Sequence, residues 1–454
     1  MKFYILAFVG CLFLANCGGG GGNASIVGVV KDTGGTVVAG ISVGATTTDA
    51  DGYFKVTGLA ESNHNVLTFS KTGYVTVYRV TRTQADQNSF LSVTMPVVDT
   101  TVTFASSAAK TVTDSGSTLT IPANAFITTS SGAAYSGNVT VNFTSIDPTT
   151  AAGLGSFPGE FIGVASDGTA SPLMSYGFAA ITATGASGEA LNLASGKTVT
   201  LTIPIPASML AAAPSTMPLW HFNETTGVWE AAGTGTKSGS NYTGTMTSFS
   251  NWSFDFPFTP AYVTGRVTDC LTGAPVKGAF FCLMATGYGV CDIGIGDDGV
   301  FPDANVYYTT SWKGLPVEPN APYTMWAEKD GLKSTVQSKT SGASNSVTAL
   351  GDICVYPLAT TTTYGCTLVG CDGDGTFDLT VLSDGSISGS GVNTTLHESF
   401  SVTGKVLEDG AIKFSTTSIK NSVFEGTIDM AASTVSGTWT NDEGGAGAFS
   451  GTKK

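Results

Sequence analysis

Eight cysteines, three histidines and a few Asp-Gly clusters are the residues of this sequence whose types and spacing could support chemistry. Cys17 closes an N-terminal apolar run and precedes five glycines, Gly18 to Gly22, so its thiol is placed for modification rather than for stapling a fold. Cys11 lies inside the apolar run. The other six, Cys270, Cys282, Cys291, Cys354, Cys366 and Cys371, fall in the last 185 residues. An even count with no CxxC pair, and with His64, His221 and His397 all distant in sequence, reads as half-cystines rather than zinc ligands. Three histidines are a poor supply for acid-base work, and G-x-S-x-G, H-E-x-x-H and P-loop patterns are absent from the sequence. No spacing singles out a pair of carboxylates. Asp49-Ala50-Asp51-Gly52, Asp297-Asp298-Gly299 and Asp372-Gly373-Asp374-Gly375 offer the hard oxygens that calcium prefers. None completes a twelve-residue calcium loop, and Asp-Gly is also the usual chemistry of a hairpin turn. Turns are the expectation, with Asp372, Asp374 and Asp378 as the calcium alternative and no cofactor. Trp220, Trp229 and Trp252 could line a sugar-binding face, but a β-sandwich core accounts for them as well. The residues alone therefore point to a protein that is not an enzyme.

The elements that must position these residues are strands. The chain has 454 residues, enough for about three domains. Charged residues make up 12%, half the usual share of about 25%. Gly is abundant at 58 residues, and Ser and Thr are frequent, which disfavours helical bundles. Acids exceed bases by 34 to 20, a net charge of −14, so nucleic acid is not an expected partner. The fold class expected is all-β: several β-sandwich domains in tandem, then a C-terminal antiparallel meander that closes as a small barrel or forms a further sandwich.

At the N-terminus, Met1 and Lys2 precede an apolar run from Phe3 to Ala15, too short to span a bilayer and suited to a signal-peptide core. Leu14-Ala15-Asn16-Cys17 resembles a bacterial lipobox, with Asn16 standing where Gly or Ala is usual. The resemblance implies a signal peptide over 1–16, cleavage before Cys17, acylation of Cys17, and a lipid anchor with glycine linker over 17–24. Several acyl chains would hold the protein on a membrane. Gly18 after the cysteine suggests, by analogy with enteric sorting, the outer membrane, with the body in the periplasm or on the cell surface. N-x-S/T triplets such as Asn23-Ala24-Ser25 are then chance matches.

Residues 25–98 alternate short apolar stretches with Gly and Asp turns. Gly28-Val29-Val30-Lys31-Asp32, Val38-Ala39-Gly40-Ile41, Asp49-Ala50-Asp51-Gly52-Tyr53-Phe54 and Ser70-Lys71-Thr72-Gly73-Tyr74 resemble the carboxypeptidase regulatory-like domain, a prealbumin-like β-sandwich without catalytic residues. The pattern recurs over 260–358, where Gly265-Arg266-Val267-Thr268-Asp269, Val276-Lys277-Gly278, Asp298-Gly299-Val300-Phe301 and Glu328-Lys329-Asp330-Gly331-Leu332 follow the same order. Between the copies, residues 99–259 carry Leu119 to Phe126, Gly137 to Val141, a hairpin around Gly227, and Ser248 to Asp255. This block is similar to a β-rich region of cartilage intermediate layer protein and is distantly related to a sandwich of netrin receptors and ankyrins. Some distant relatives cleave themselves between Phe and Ser of a His-Phe-Ser triplet. Here Ser248 replaces that His before Phe249-Ser250, so the chain is expected to stay whole. Residues 359–454 hold seven alternating stretches, from Phe377–Leu382 to Ala448–Thr452, and resemble avidin-like or lipocalin-like up-and-down barrels.

Within the second copy, four cysteines allow three pairings. Gly287-Tyr288-Gly289 suggests a turn that joins Cys282 to Cys291, leaving Cys270 for Cys354; a Cys270–Cys282 bridge is the alternative connectivity. Cys366 and Cys371 enclose four residues and are expected to pair locally. The functional expectation is an exported binding or adhesion protein of the cell envelope. Its partners would be the membrane, through the N-terminal lipid, and a protein or glycan. A structural spacer, and a hydrolase or carbohydrate-active accessory protein, are the alternatives.

Overall fold

The computed structural model describes residues 24–269, 273–293, 308, 310, 312–329, 332–355, 362–370, 374–382, 386–406, 411–416, 420–429 and 433–454. The protein is all-β: the described residues form six sheets, one of them a closed barrel, with one six-residue helix, Ala151–Ser156.

The opening strand, Ala24–Asp32, is buried along its first seven residues, which explains its near-continuous apolar run. It lies between Tyr53–Leu59, antiparallel, and Asn88–Met95, parallel. The same arrangement recurs in the second copy. Ala261–Asp269 lies between Leu315–Val317, antiparallel, and Val347–Val355, parallel. In both copies the chain then turns back on the first strand. Val38 N–H donates to Val30 O and Val276 N–H to Val267 O, at 2.9 and 3.0 Å. Gly40 and Gly278 take φ of +68° and +63°, a region open to glycine at little cost. A second sheet covers each first sheet. It is built on Ser62–Ser70 and Val77–Thr83 in the first copy, and on Phe280–Ala285, Tyr288–Ile293 and Pro322–Lys329 in the second.

Residues 100–257 form one thirteen-stranded sheet that folds over its own core. Its spine is the sixteen-residue strand Ala170–Gly185, paired with Asn138–Ile146 on one side and Asn251–Pro257 on the other. Thr216–Asn223 and Val228–Ser238 make the hairpin expected around Gly227.

The three sandwich regions are not separate beads. Tyr78 of the first copy, Phe157, Phe161, Trp220, Phe222 and Trp229 of the middle region, and Tyr288 of the second copy belong to one apolar cluster. Phe280 and Cys282 of the second copy sit in the core of the first. Each large side chain so buried contributes about 1.5–3 kcal/mol, so the junctions are held as a core is held.

Residues 362–453 close into an eight-stranded antiparallel barrel in simple up-and-down order, and the last strand, Ala446–Lys453, pairs with the first, Thr362–Gly370. The interior is solid. Phe377 meets Phe400, Phe414, Phe424 and Phe449 at ring-centroid distances of 5.8–6.1 Å. Space for these rings comes from glycines at neighbouring inward positions: a Cβ on Gly437 would lie 2.6 Å from Phe449 Cε1.

The barrel corrects one expectation. Cys366 is a buried free thiol among the core side chains, not a partner of Cys371. Its strand runs extended to Gly370, which carries the chain about 13 Å away at roughly 3.3 Å per residue, beyond the reach of a disulfide at that separation. Cys371 itself lies outside the described residues.

Candidate functional site

The residues singled out in the sequence do not converge. Cys17, Cys270, Cys371 and Asp372 lie outside the described residues. Cys282 and Cys291 face each other across the hairpin Phe280–Ala285/Tyr288–Ile293 and are disulfide-bonded. Cys354 also carries a disulfide, its partner falling outside the described residues. Asp378 pairs with Lys454 at 2.5 Å, and the Asp374 carbonyl accepts from Thr394. Asp49 closes its turn by accepting from the backbone of Asp51 and Tyr53, and its carboxylate also receives Lys405 of the barrel. Among the described residues, no three of His, Cys, Asp and Glu come together as a metal cluster.

The histidines are dispersed. His64 Nε2 contacts the Thr226 carbonyl at 2.6 Å, His397 sits in an exposed turn at φ +58°, and His221 packs against Trp252. Burial lowers the His221 pKa, with Glu230 opposing. Trp220, Trp229 and Trp252 are fully buried, with indole N–H groups donating to the carbonyls of Asp255, Pro158 and Ser248. They are core residues and present no sugar-binding face. Ser250 Oγ is buried without a hydrogen-bond partner among the described residues.

Among the ligand-sized cavities of the described residues, one is lined mainly by apolar side chains. It encloses about 340 Å³ where the two copies and the middle region meet, at the small end of the roughly 300–1,000 Å³ typical of such sites. Three devices hold its walls. The hairpin carrying the Cys282–Cys291 bridge wedges between first copy and middle region: Gly287 O accepts from Ser175 N–H at 2.7 Å, and Tyr288 packs edge-on against Phe161 and Phe258. The second copy is tied to the first by Phe90 N–H to Gly278 O and by Lys329 Nζ to Asn88 O. The helix Ala151–Ser156, capped by Thr150, forms the third wall. The lining is mainly apolar, with Leu91, Leu154, Phe157, Phe161, Met284 and Trp326 prominent.

The cavity's charges are unevenly matched. Glu160 accepts from Tyr308 at 2.6 Å, Glu328 from the Trp326 indole at 2.6 Å, and Asp32 from the backbone of Gly34 and Thr36 at 2.9 Å. Arg79 has only carbonyls: Nη1 donates to Tyr78 and Phe157, and Nη2 to Gly155, at the end of the helix. Arg79 is partly buried, and desolvation lowers its pKa to about 10. Asp32 and Glu328 entered the sequence reading only as members of the repeated motifs, and Arg79, Glu160, Tyr308 and Trp326 were not singled out. The available signal was a lone Arg at the centre of the apolar stretch Val77-Tyr78-Arg79-Val80.

No family model matches this chain, and no curated protein matches it. Among solved structures it is aligned with BcpA, the major pilin subunit of Bacillus cereus, at 10% identity, covering 73% of this chain and 99% of that one with a TM-score of 0.16. The Bacillus anthracis TIE protein aligns at 11% identity, covering 74% of this chain and 51% of that one, also at 0.16.

Proposed function

We propose that this chain is an exported, lipid-anchored, non-catalytic protein of the bacterial cell envelope whose β body binds a protein or glycan. The observation that carries the reading is Leu14-Ala15-Asn16-Cys17 at the end of a short apolar run, followed by glycines able to act as a leash. The carboxypeptidase regulatory-like pattern supports it, because two copies of one strand arrangement flank the middle region. The common core also favours display over spacing: interlocked modules give a broad, stiff body, whereas a spacer gains length from modules joined end to end. The three dispersed histidines offer little to the hydrolase alternative.

Globomycin should make the precursor accumulate, and Cys17→Ser should release the protein from membranes. A Cys17→Ser protein as firmly membrane-bound as the wild type would overturn the anchoring. Glycan arrays and pull-downs with the released body then test for the partner, and failure of both would leave the spacer reading in its place.

A further inference from the structure

We infer that the cavity at the three-way junction is a binding site for a small amphipathic anion, an apolar tail of about ten carbons bearing one carboxylate, with Arg79 as the head-group residue. The inference goes beyond the envelope reading and holds whether or not Cys17 is acylated.

The cavity combines an apolar lining with a guanidinium that meets no carboxylate among the described residues. Arg79 is partly buried, and a cation withdrawn from water without a counter-charge is costly. The carbonyls of Gly155 and Phe157 orient it but supply only partial charge. These three bonds leave part of the five-donor guanidinium unused, and its fork suits a carboxylate. Each of the three acids in the lining already accepts a hydrogen bond. An entering anion would thus neutralise Arg79 while its tail covered Leu91, Leu154, Phe161 and Met284. The lining reaches the surface at Thr33 and Gly35, which are exposed. The walls come from three regions that share a core, so the site is formed before a ligand arrives, which lowers the ordering cost of binding.

The test uses the full-length Cys17→Ser chain, with decanoate as probe and decanol and decylamine as neutral and cationic controls. Decanoate should bind once per chain and change tryptophan emission through Trp326, and decanol should bind at least tenfold more weakly. Arg79→Met should weaken decanoate at least tenfold and leave decanol unchanged. Ser92→Phe, which fills the cavity from its wall, should abolish binding of both. If Arg79→Met does not fold, Ser92→Phe and the decanoate-to-decanol ratio decide. Absence of decanoate binding by the folded chain overturns the inference, as does binding that Ser92→Phe leaves intact. Equal affinity for decanol overturns the role of Arg79. Because every protein in the test lacks the Cys17 thiol, none of these outcomes bears on the anchor.

Discussion

Asp255 is a carboxyl sealed in the middle region at zero exposure. Ser253 Oγ donates to its Oδ1, Ser175 Oγ lies 3.1 Å from Ser253 Oγ, and Oδ2 has no hydrogen-bond partner among the described residues. Desolvation raises its pKa from 3.8 to about 7, against the lowering effect of the two serines. Its folded pKa lies above the unfolded one, so the native state holds the proton more tightly. This contribution to stability is greatest below about pH 4 and is lost as pH rises toward 7, at up to about 1.4 kcal/mol per pH unit. Asp255→Asn should therefore gain on the wild type as pH rises, which urea unfolding at pH 4.5 and 7.5 would measure. A stability difference that is the same at both pH values would rule this account out. Nothing in the sequence distinguished Asp255 from the other acids, because its special state comes from burial rather than from spacing. Cys366 is the converse case: its spacing to Cys371 suggested a loop bridge, but the alternation of Tyr364, Cys366 and Leu368 places it on an inward strand face.

At the scale of elements, period-two patterning made the strands readable. The barrel's seven sequence-predicted stretches correspond to strands, and the overlooked eighth, Thr362–Gly370, closes it. Threonines, two glycines and a cysteine had diluted its apolar signal. The pattern did not reveal that the inward glycines make room for phenylalanines. That follows from register, which pairs Gly437 with Phe449 and Gly404 with Phe414. Gly437→Val would set a side chain 2.6 Å from Phe449 and 2.5 Å from the Gly426 backbone. It should destabilise the barrel by about 1–3 kcal/mol or more, seen as an earlier urea midpoint in the emission of Trp439. An unchanged midpoint would mean that the core can yield there.

For the whole molecule, alternation tells which face of a strand is buried but not what covers it, so the common core of the three sandwich regions was not legible. The barrel's attachment was equally hidden. Lys405 bonds Asp49 and lies 3.8 Å from Asp51 and 4.5 Å from the Tyr53 ring, while Lys413 reaches Asp51 at 3.3 Å. The Asp-Gly turn that invited a calcium reading thus engages cations of the protein itself. Such partly exposed pairs are each worth up to about 1 kcal/mol and are screened by salt. The double variant Lys405→Glu, Lys413→Glu should free the barrel and increase the radius of gyration in small-angle scattering, as should high salt on the wild type. A scattering profile unchanged by both would show that other contacts hold it.

The common core also dictates the order in which the molecule can be completed. Ala24–Asp32 needs a parallel partner, Asn88–Met95, that follows it at a distance of 63 residues, as between Ser25 and Asn88. The core above it also needs Phe280 and Cys282. A polypeptide emerging N-terminus first, from a ribosome or a membrane pore, exposes that apolar strand long before its covering exists. Contacts of such high order make folding slow and leave sticky edges open meanwhile. The opening strand therefore lacks part of its final covering until nearly two-thirds of the chain has emerged.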